Sequence, residues 1–358
     1  MAKKTVAIYT NSSDVNAGGG MVYILALAKV LQSKSFKVTV FVNFSISASN
    51  FNRVYDTFGI QIELLKRGKI SVISQIHYAL KEWIKYDIVI EQSLFVPRIV
   101  LVKKSFILCD FPMEKITTWN QKVRLKSWNK IVVNSEFTKF WVQEYWKRSS
   151  IVIYPPTPQF SEDISNKIER NGIVSIGRFN KGKRSKRQDI IIEVFLYLIE
   201  NKKIDCNLHL IGFVQDQEYL NELKKKAKGF SVYFHENCSS EKKRDILQNS
   251  ALYISACGFG INENKNPSLV EHYGISVVEA MASGCVPLVV GNGGHKETVD
   301  HGINGFHWST KKELANHMTA LLSDKILMCK FQQNAILKSN RYSLENLEDE
   351  IISILVKN

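Results

Sequence analysis

The sequence predicts an α/β protein made of two doubly wound, parallel-sheet domains, and three observations carry that reading. Short runs rich in β-branched residues alternate along the chain with stretches of helical period, the pattern of parallel strands joined by right-handed helical crossovers. Midway, Tyr154-Pro155-Pro156-Thr157-Pro158 gathers three of the seven prolines, and proline lacks a backbone donor and biases its predecessor away from helix, so this is a linker. A length of 358 residues also suits two hydrophobic cores better than one.

In order, Thr5–Tyr9 reads as the first strand, Met21–Gln32 as a helix and Lys37–Val42 as a strand. Ile88–Ile90, Phe106–Leu108 and Ile131–Asn134 continue as strands, followed by a helix over Thr138–Trp146. After a polar stretch to Asn171 the alternation restarts with strand Gly172–Ile176 and helix Lys186–Glu200. Strand Asn207–Ile211, helix Glu218–Lys228, strand Ser231–His235, helix Ser240–Asn249 and strand Leu252–Ser255 follow, then helix Ser276–Ser283 and a last core strand, Val286–Val290. The expected division is a first domain over 1–158, a linker over 159–170 and a second domain over 171–340. Ligands of such sheets bind beyond the carboxyl ends of the strands, which makes an interdomain cleft the default site.

Composition narrows the class. No run approaches the roughly 18 apolar residues of a membrane span, and the N-terminal apolar stretch is too short for a signal peptide. The six cysteines form no CxxC pair, which fits a reducing cytoplasm. The eight histidines show no ligand spacing, so no structural metal is expected. The net charge of +14 fits a lysine-rich solvated surface or attraction to anionic lipid or phosphorylated substrates. Between Lys115 and Arg148, eight Lys/Arg residues interleave with Trp119, Trp128, Trp141 and Trp146. That mixture fits a nucleic-acid or membrane interface, or core tryptophans on amphipathic helices.

Three segments carry chemistry. In Glu271-His272-Tyr273-Gly274-Ile275-Ser276-Val277-Val278-Glu279 a loop ends at Gly274 and a helix begins near Ser276. The helix N-terminus offers N–H groups and a positive dipole end to phosphate, and Glu271 and Glu279 bracket it as acceptors for sugar hydroxyls. The bland alternative for Glu279 is a capping box with Ser276. In the second segment a strand ends at Gly177-Arg178 and Lys186 opens the next helix; Arg178 and Lys186 would neutralise a departing diphosphate. The five basic residues between Lys181 and Arg187 also fit a nucleic-acid patch or localisation signal. Third, Asn16-Ala17-Gly18-Gly19-Gly20-Met21 is a glycine loop, but Tyr23 and the missing acidic residue after strand two depart from the dinucleotide fingerprint, which speaks against a nicotinamide enzyme. Gly293-Gly294-His295-Lys296-Glu297 reads only as turn-rich.

Together these segments resemble glycosyltransferase family 4, retaining transferases of GT-B fold. The resemblance runs from GGG through NSEFTKFW at Asn134, YPP at Tyr154 and GRFNKGKRSKRQD at Gly177 to EHYGISVVEAMASGCVP at Glu271 and GGHKETVDHGINGF at Gly293. It implies a sugar moved from a nucleotide diphosphate sugar, the co-substrate, to a hydroxyl of a glycan or lipid-linked acceptor, with anomeric configuration kept and no metal or further cofactor. Arg178 and Lys186 would hold the diphosphate, Glu271 the transferred sugar, the backbone of Tyr273, Gly274 and Ile275 sugar and phosphate, and Glu279 the ribose. Gly19 and Gly20 would line the cleft, and a terminal helix within 341–358 would return to the first domain. Asp110-Phe111-Pro112 stands where the pattern often shows His before Phe-Pro; Asp110 is therefore a catalytic candidate with a changed role, beside Glu271, Lys186 and Arg178. The resemblance offers no enzymatic base, which leaves the departing phosphate to take the acceptor's proton. A cytoplasmic enzyme, peripheral on the inner membrane face, is the expectation. The alternatives are a nucleotide-sugar epimerase of the same fold and a basic membrane- or nucleic-acid-binding protein.

Overall fold

The computed structural model describes residues 4–10, 19–42, 63–66, 75–157, 170–182, 184–202 and 204–357. The chain forms two compact units, Met1–Pro156 with Leu344–Asn358, and Thr157–Ser343. The expected linker, except Arg170, lies outside the described residues.

The first unit runs β1 (Thr5–Tyr9), α1 (Gly19–Ser33), β2 (Lys37–Val42), β3 (Glu63–Lys66), α2 (Gln75–Lys85), β4 (Ile88–Gln92) and β5 (Lys104–Cys109). It continues with α3 (Trp119–Lys126), β6 (Lys130–Val133), α4 (Glu136–Trp146) and β7 (Ile151–Val152). The strands form one parallel sheet in the order β3-β2-β1-β4-β5-β6-β7. Strands β1, β2, β4, β5 and β6 are almost wholly buried, covered on both faces, and so read as largely apolar runs. Helix α1 buries nine residues from Met21 to Leu31. The final helix, α12 by chain order (Leu344–Ile352), adds Leu347, Ile351 and Ile352 to the same core. A π-helical turn, Ser353–Lys357, contributes Ile354 and Leu355.

The second unit has β8 (Gly172–Ile176), α5 (Gln188–Lys202), β9 (Asn207–Gly212), α6 (Gln217–Lys226), β10 (Val232–Glu236), α7 (Ser240–Asn249) and β11 (Ser250–Ser255). Then come α8 (Ile275–Ala282), β12 (Val286–Val290), α9 (His295–Thr298), β13 (Phe306–Trp308), α10 (Lys311–Ser323) and α11 (Lys325–Asn340). The parallel order β10-β9-β8-β11-β12-β13 reverses between β8 and β11. That switch point lies where the carboxyl ends of adjacent strands diverge and ligands bind.

Several expectations need correction. Val286–Val290 is not the last strand, because β13 pairs beside it; three residues with a histidine at the centre leave too faint a period to read. The helix expected from Lys186 begins at Gln188, since Arg184 and Arg187 adopt left-handed backbone with φ of 64° and 50° and helical dihedrals cannot pass through such residues. Gly19, Gly20 and Met21 are not loop residues but the first turn of α1; Asn16, Ala17 and Gly18 lie outside the described residues. Trp128 and Trp146 are core residues whose indole N–H groups donate to the carbonyls of Arg98 (2.8 Å) and Glu114 (3.1 Å). Of the four tryptophans in the basic stretch, Trp119 alone is largely exposed, which removes the aromatic interleaving from the argument for nucleic acid.

Candidate active site

The crevice beyond β8 and β11 holds an ion pair whose geometry depends on a glycine. A Cβ on Gly177 would lie 2.3 Å from Lys186 Cγ, so only glycine lets the lysine stem cross the end of β8. The Lys186 ammonium donates to Glu271 Oε2. The side chains are 22% and 18% exposed, open enough for a ligand to meet both. Burial pulls the Lys186 pKa down, but the neighbouring Cys257 and Glu271 outweigh it and raise it overall. Burial likewise pushes the Glu271 carboxyl up, and the Lys186 charge overrides this and holds it at about 2. Both groups are charged at neutral pH.

Glu271 is held by the segment whose sequence was only turn-rich. The Gly294 N–H donates to the Glu271 carbonyl at 2.8 Å. A Cβ on Gly293 would come within 2.1 Å of that same carbonyl oxygen, and one on Gly294 within 2.2 Å of the His272 carbonyl. Glu263 ties the turn from the other side, accepting from Gly293 N at 2.6 Å and pairing with Lys296. His295 is fully buried, with Nδ1 2.9 Å from the Val290 carbonyl. Because a carbonyl only accepts, Nδ1 carries the proton. Burial lowers the His295 pKa to about 4.

Gly274 caps α8 in left-handed backbone, φ 96° and ψ 58°, and no side chain caps this helix. The capping box that was the alternative reading of Ser276 and Glu279 is absent, because the helix starts at Ile275, two residues earlier than that motif requires. Ser276 Oγ instead bonds Tyr253 Oη at 2.8 Å. Glu279, buried, accepts from Lys243 Nζ through both oxygens at 2.9 and 3.0 Å. Tyr253 feels the charges of Lys186, Glu271 and Glu279, and burial raises its pKa. Lys186, Glu271, Tyr253, Ser276, Glu279 and Lys243 therefore form one string of polar groups around the start of α8.

Arg178 stands apart. It is exposed, and its guanidinium donates to Gln215 Oε1 at 3.4 Å. The Tyr273 ring is buried edge-on against Tyr342, centroids 5.9 Å apart, leaving only its backbone toward the helix start. Tyr253, Lys243 and Glu263 escaped the sequence reading; the one available signal was Tyr253's place near the end of a strand beside the switch point.

In the first unit, Gly20 packs against a second polar group. A Cβ there would lie 2.6 Å from Gln92 Nε2 and 3.3 Å from Asp110 Oδ2. Gln92 Nε2 donates to Asp110 Oδ2 at 2.7 Å, and Thr10 Oγ1 donates to Gln92 Oε1 at 2.8 Å. The Asp110 carbonyl accepts from Asn134 Nδ2 at 3.2 Å and Thr138 Oγ1 at 3.1 Å, which explains the polar start of the NSEFTKFW segment. Among the described residues, no group of three or more His, Cys, Asp or Glu is placed to hold a metal ion.

The two parallel-sheet units have the architecture of the GT-B fold. The profile of the family described as "Glycosyl transferases group 1" matches residues 158–338, and the chain belongs to that family. A Dictyostelium discoideum protein named GDP-Man:Man(3)GlcNAc(2)-PP-Dol alpha-1,2-mannosyltransferase is 26% identical over 63% of this chain and 46% of its own length. Alpha-1,3/1,6-mannosyltransferase ALG2 of the same organism is 25% identical over 76% of both. The chain thus spans about half the length of the first of these curated relatives. A glycosyltransferase of Rickettsia africae ESF-5 superposes over the full length of both chains, with TM-score 0.76 and 18% identity.

Proposed function

We propose that this protein transfers a sugar from a nucleotide diphosphate sugar to a hydroxyl of a glycan or lipid-linked acceptor, keeping the anomeric configuration and needing no metal or other cofactor. The observation that carries the reading is the charged Lys186–Glu271 pair at the switch point, beside the uncapped start of α8. A diphosphate there meets Lys186 and the helix N–H groups, and charge that develops on it as the sugar departs strengthens both contacts. Glu271, released from part of its pairing, accepts hydroxyls of the transferred sugar, and Glu279 accepts those of the ribose. Arg178 turns from Gln215 to the phosphates. The Gly20–Gln92–Asp110 group of the first unit is the candidate for contact with the acceptor, with Asp110 able to orient a hydroxyl by accepting a hydrogen bond from it.

The name of the first relative supports GDP-mannose as the first donor and a polyprenyl-linked glycan as the first acceptor, and that of the second supports mannose as the sugar. Peripheral contact with an anionic membrane is part of the proposal. It is supported by the charge of +14 and by Leu80, Trp83 and Ile84, which lie exposed on one side of α2 with Lys81 and Lys85. No helix among the described residues is long and apolar enough to cross a membrane.

Incubation with GDP-mannose, UDP-glucose, UDP-N-acetylglucosamine and ADP-glucose, each with a short lipid-linked glycan, tests the reading. Transfer from one donor, with the donor's anomeric configuration in the product by NMR, is expected. Interconversion of the donor sugar without acceptor would instead mark an epimerase.

A further inference from the structure

We propose that Lys243 is a positioning residue for the nucleotide half of the donor: it holds Glu279 turned so that its remaining lone pairs meet the ribose hydroxyls. This inference rests on the proposed role of Glu279. Glu279 is 5% exposed overall, and a carboxylate so placed needs a partner that replaces its lost hydration. Lys243 is that partner, from another element, α7, whose start is fixed by Ser239 Oγ accepting from the Lys242 N–H at 3.2 Å. Its ammonium bridges both carboxylate oxygens at nearly equal distance, which fixes the plane of the carboxylate.

The count of lone pairs shows what this arrangement leaves available. A carboxylate offers about four acceptor sites and an ammonium three donors. Lys243 takes one site on each oxygen, so each keeps a site for a hydroxyl, and two adjacent ribose hydroxyls match two adjacent oxygens. The Lys243 side chain is 26% exposed against 7% for Glu279, so the pair opens toward solvent on the lysine side, where a nucleotide arrives. Ser276, the other candidate partner for Glu279, is committed to Tyr253. A purely structural ion pair would make no distinction between nucleotides with and without these hydroxyls.

Calorimetric titration of the full chain with GDP and UDP, and with their 2′,3′-dideoxy counterparts, reads the difference. The native protein is expected to prefer one ribonucleotide over its dideoxy form by about tenfold, as one to two hydrogen bonds to a charged group predict. Lys243→Met should weaken the ribonucleotide by about tenfold, leave the dideoxy form nearly unchanged and bring the ratio toward one. Lys243→Arg should restore part of the preference. Lys243→Gln, polar and of similar length, provides a second reading if Lys243→Met unfolds. Undiminished discrimination in a folded Lys243→Met or Lys243→Gln protein overturns the inference while leaving Glu279 as ribose ligand. Equal binding of ribo and dideoxy forms by the native protein overturns both.

Discussion

The two units each contain a lysine or arginine tied to a carboxylate, and the contrast separates a structural charge cluster from a functional one. In the first unit Arg98, Glu82 and Glu91 are 6%, 3% and 3% exposed. Arg98 grips Glu82 with two nitrogens, one at 2.7 Å, reaches Glu91 with Nε at 3.1 Å and lies 4.9 Å from the centroid of the Tyr9 ring. Burial pushes the Glu82 pKa up despite the arginine, as expected where desolvation dominates. In the second unit Lys186 and Glu271 keep a fifth of their surface, the lysine charge prevails over burial, and one glycine is spent on making room for the lysine. A cluster sealed from water locks a loop against a sheet; a pair left ajar at a switch point can exchange one partner for a ligand.

Breaking the sealed cluster should have the largest effect, and on stability alone. Arg98→Met leaves two carboxylates buried without compensation and should cost about 3–5 kcal/mol in urea unfolding, with the KM for donor unchanged in whatever protein stays folded. A loss of activity at native stability would contradict the comparison. Lys186→Met should act first on turnover: kcat falls by at least about tenfold, roughly 1.4 kcal/mol in the barrier, and the urea midpoint drops as Glu271 loses the charge that holds its pKa down, but by less than in Arg98→Met, because Glu271 can hydrate. Glu279→Gln should raise the donor KM by about three- to tenfold with kcat close to native, the signature of binding shared by ground and transition states.

The smallest effect concerns pH and sharpens the comparison. The folded pKa of Glu271, about 2, lies below its ordinary value of 4.5, so the unfolded chain binds more protons between these limits. Stability from this group is therefore complete above about pH 4.5 and drains away as pH falls toward 2. His295, held near 4 by burial against an ordinary 6.5, adds a loss of the same sign from about pH 6.5 down to 4. In Glu271→Gln, the slope of unfolding free energy against pH should flatten below about 4.5 and persist between 4 and 6.5.

The fold was legible because parallel strands covered on both faces must be largely apolar, and β1, β2, β8 and β12 are, broken only by Thr5, Lys37, Thr39 and Ser175. Elements whose burial is one-sided or brief left no such trace, as β13 and α2 show: α2 buries Glu82 and exposes Trp83 and Ile84, inverting the usual pattern. In the site, Glu271, Gly274 and Glu279 were legible as a spacing within one loop and helix, and Gly177 with Lys186 as a strand end with a cation. Lys243, Tyr253 and Glu263 lie 23 to 36 positions away from the groups they bond, on other elements, and only tertiary structure brings them in. The capping reading of Ser276 failed because the local motif competes with Tyr253, a partner that no local pattern reveals.

The central claim is that Lys186 and the start of α8 together bind the diphosphate of a sugar donor. Calorimetric titration of the native chain and of Lys186→Met with GDP-mannose tests it most directly, with UDP-glucose titrated alongside. The account predicts saturable binding of one donor by the native protein and affinity at least about tenfold weaker in the variant. Equal affinity in the two proteins, or no binding of any nucleotide sugar by the native chain, would contradict it.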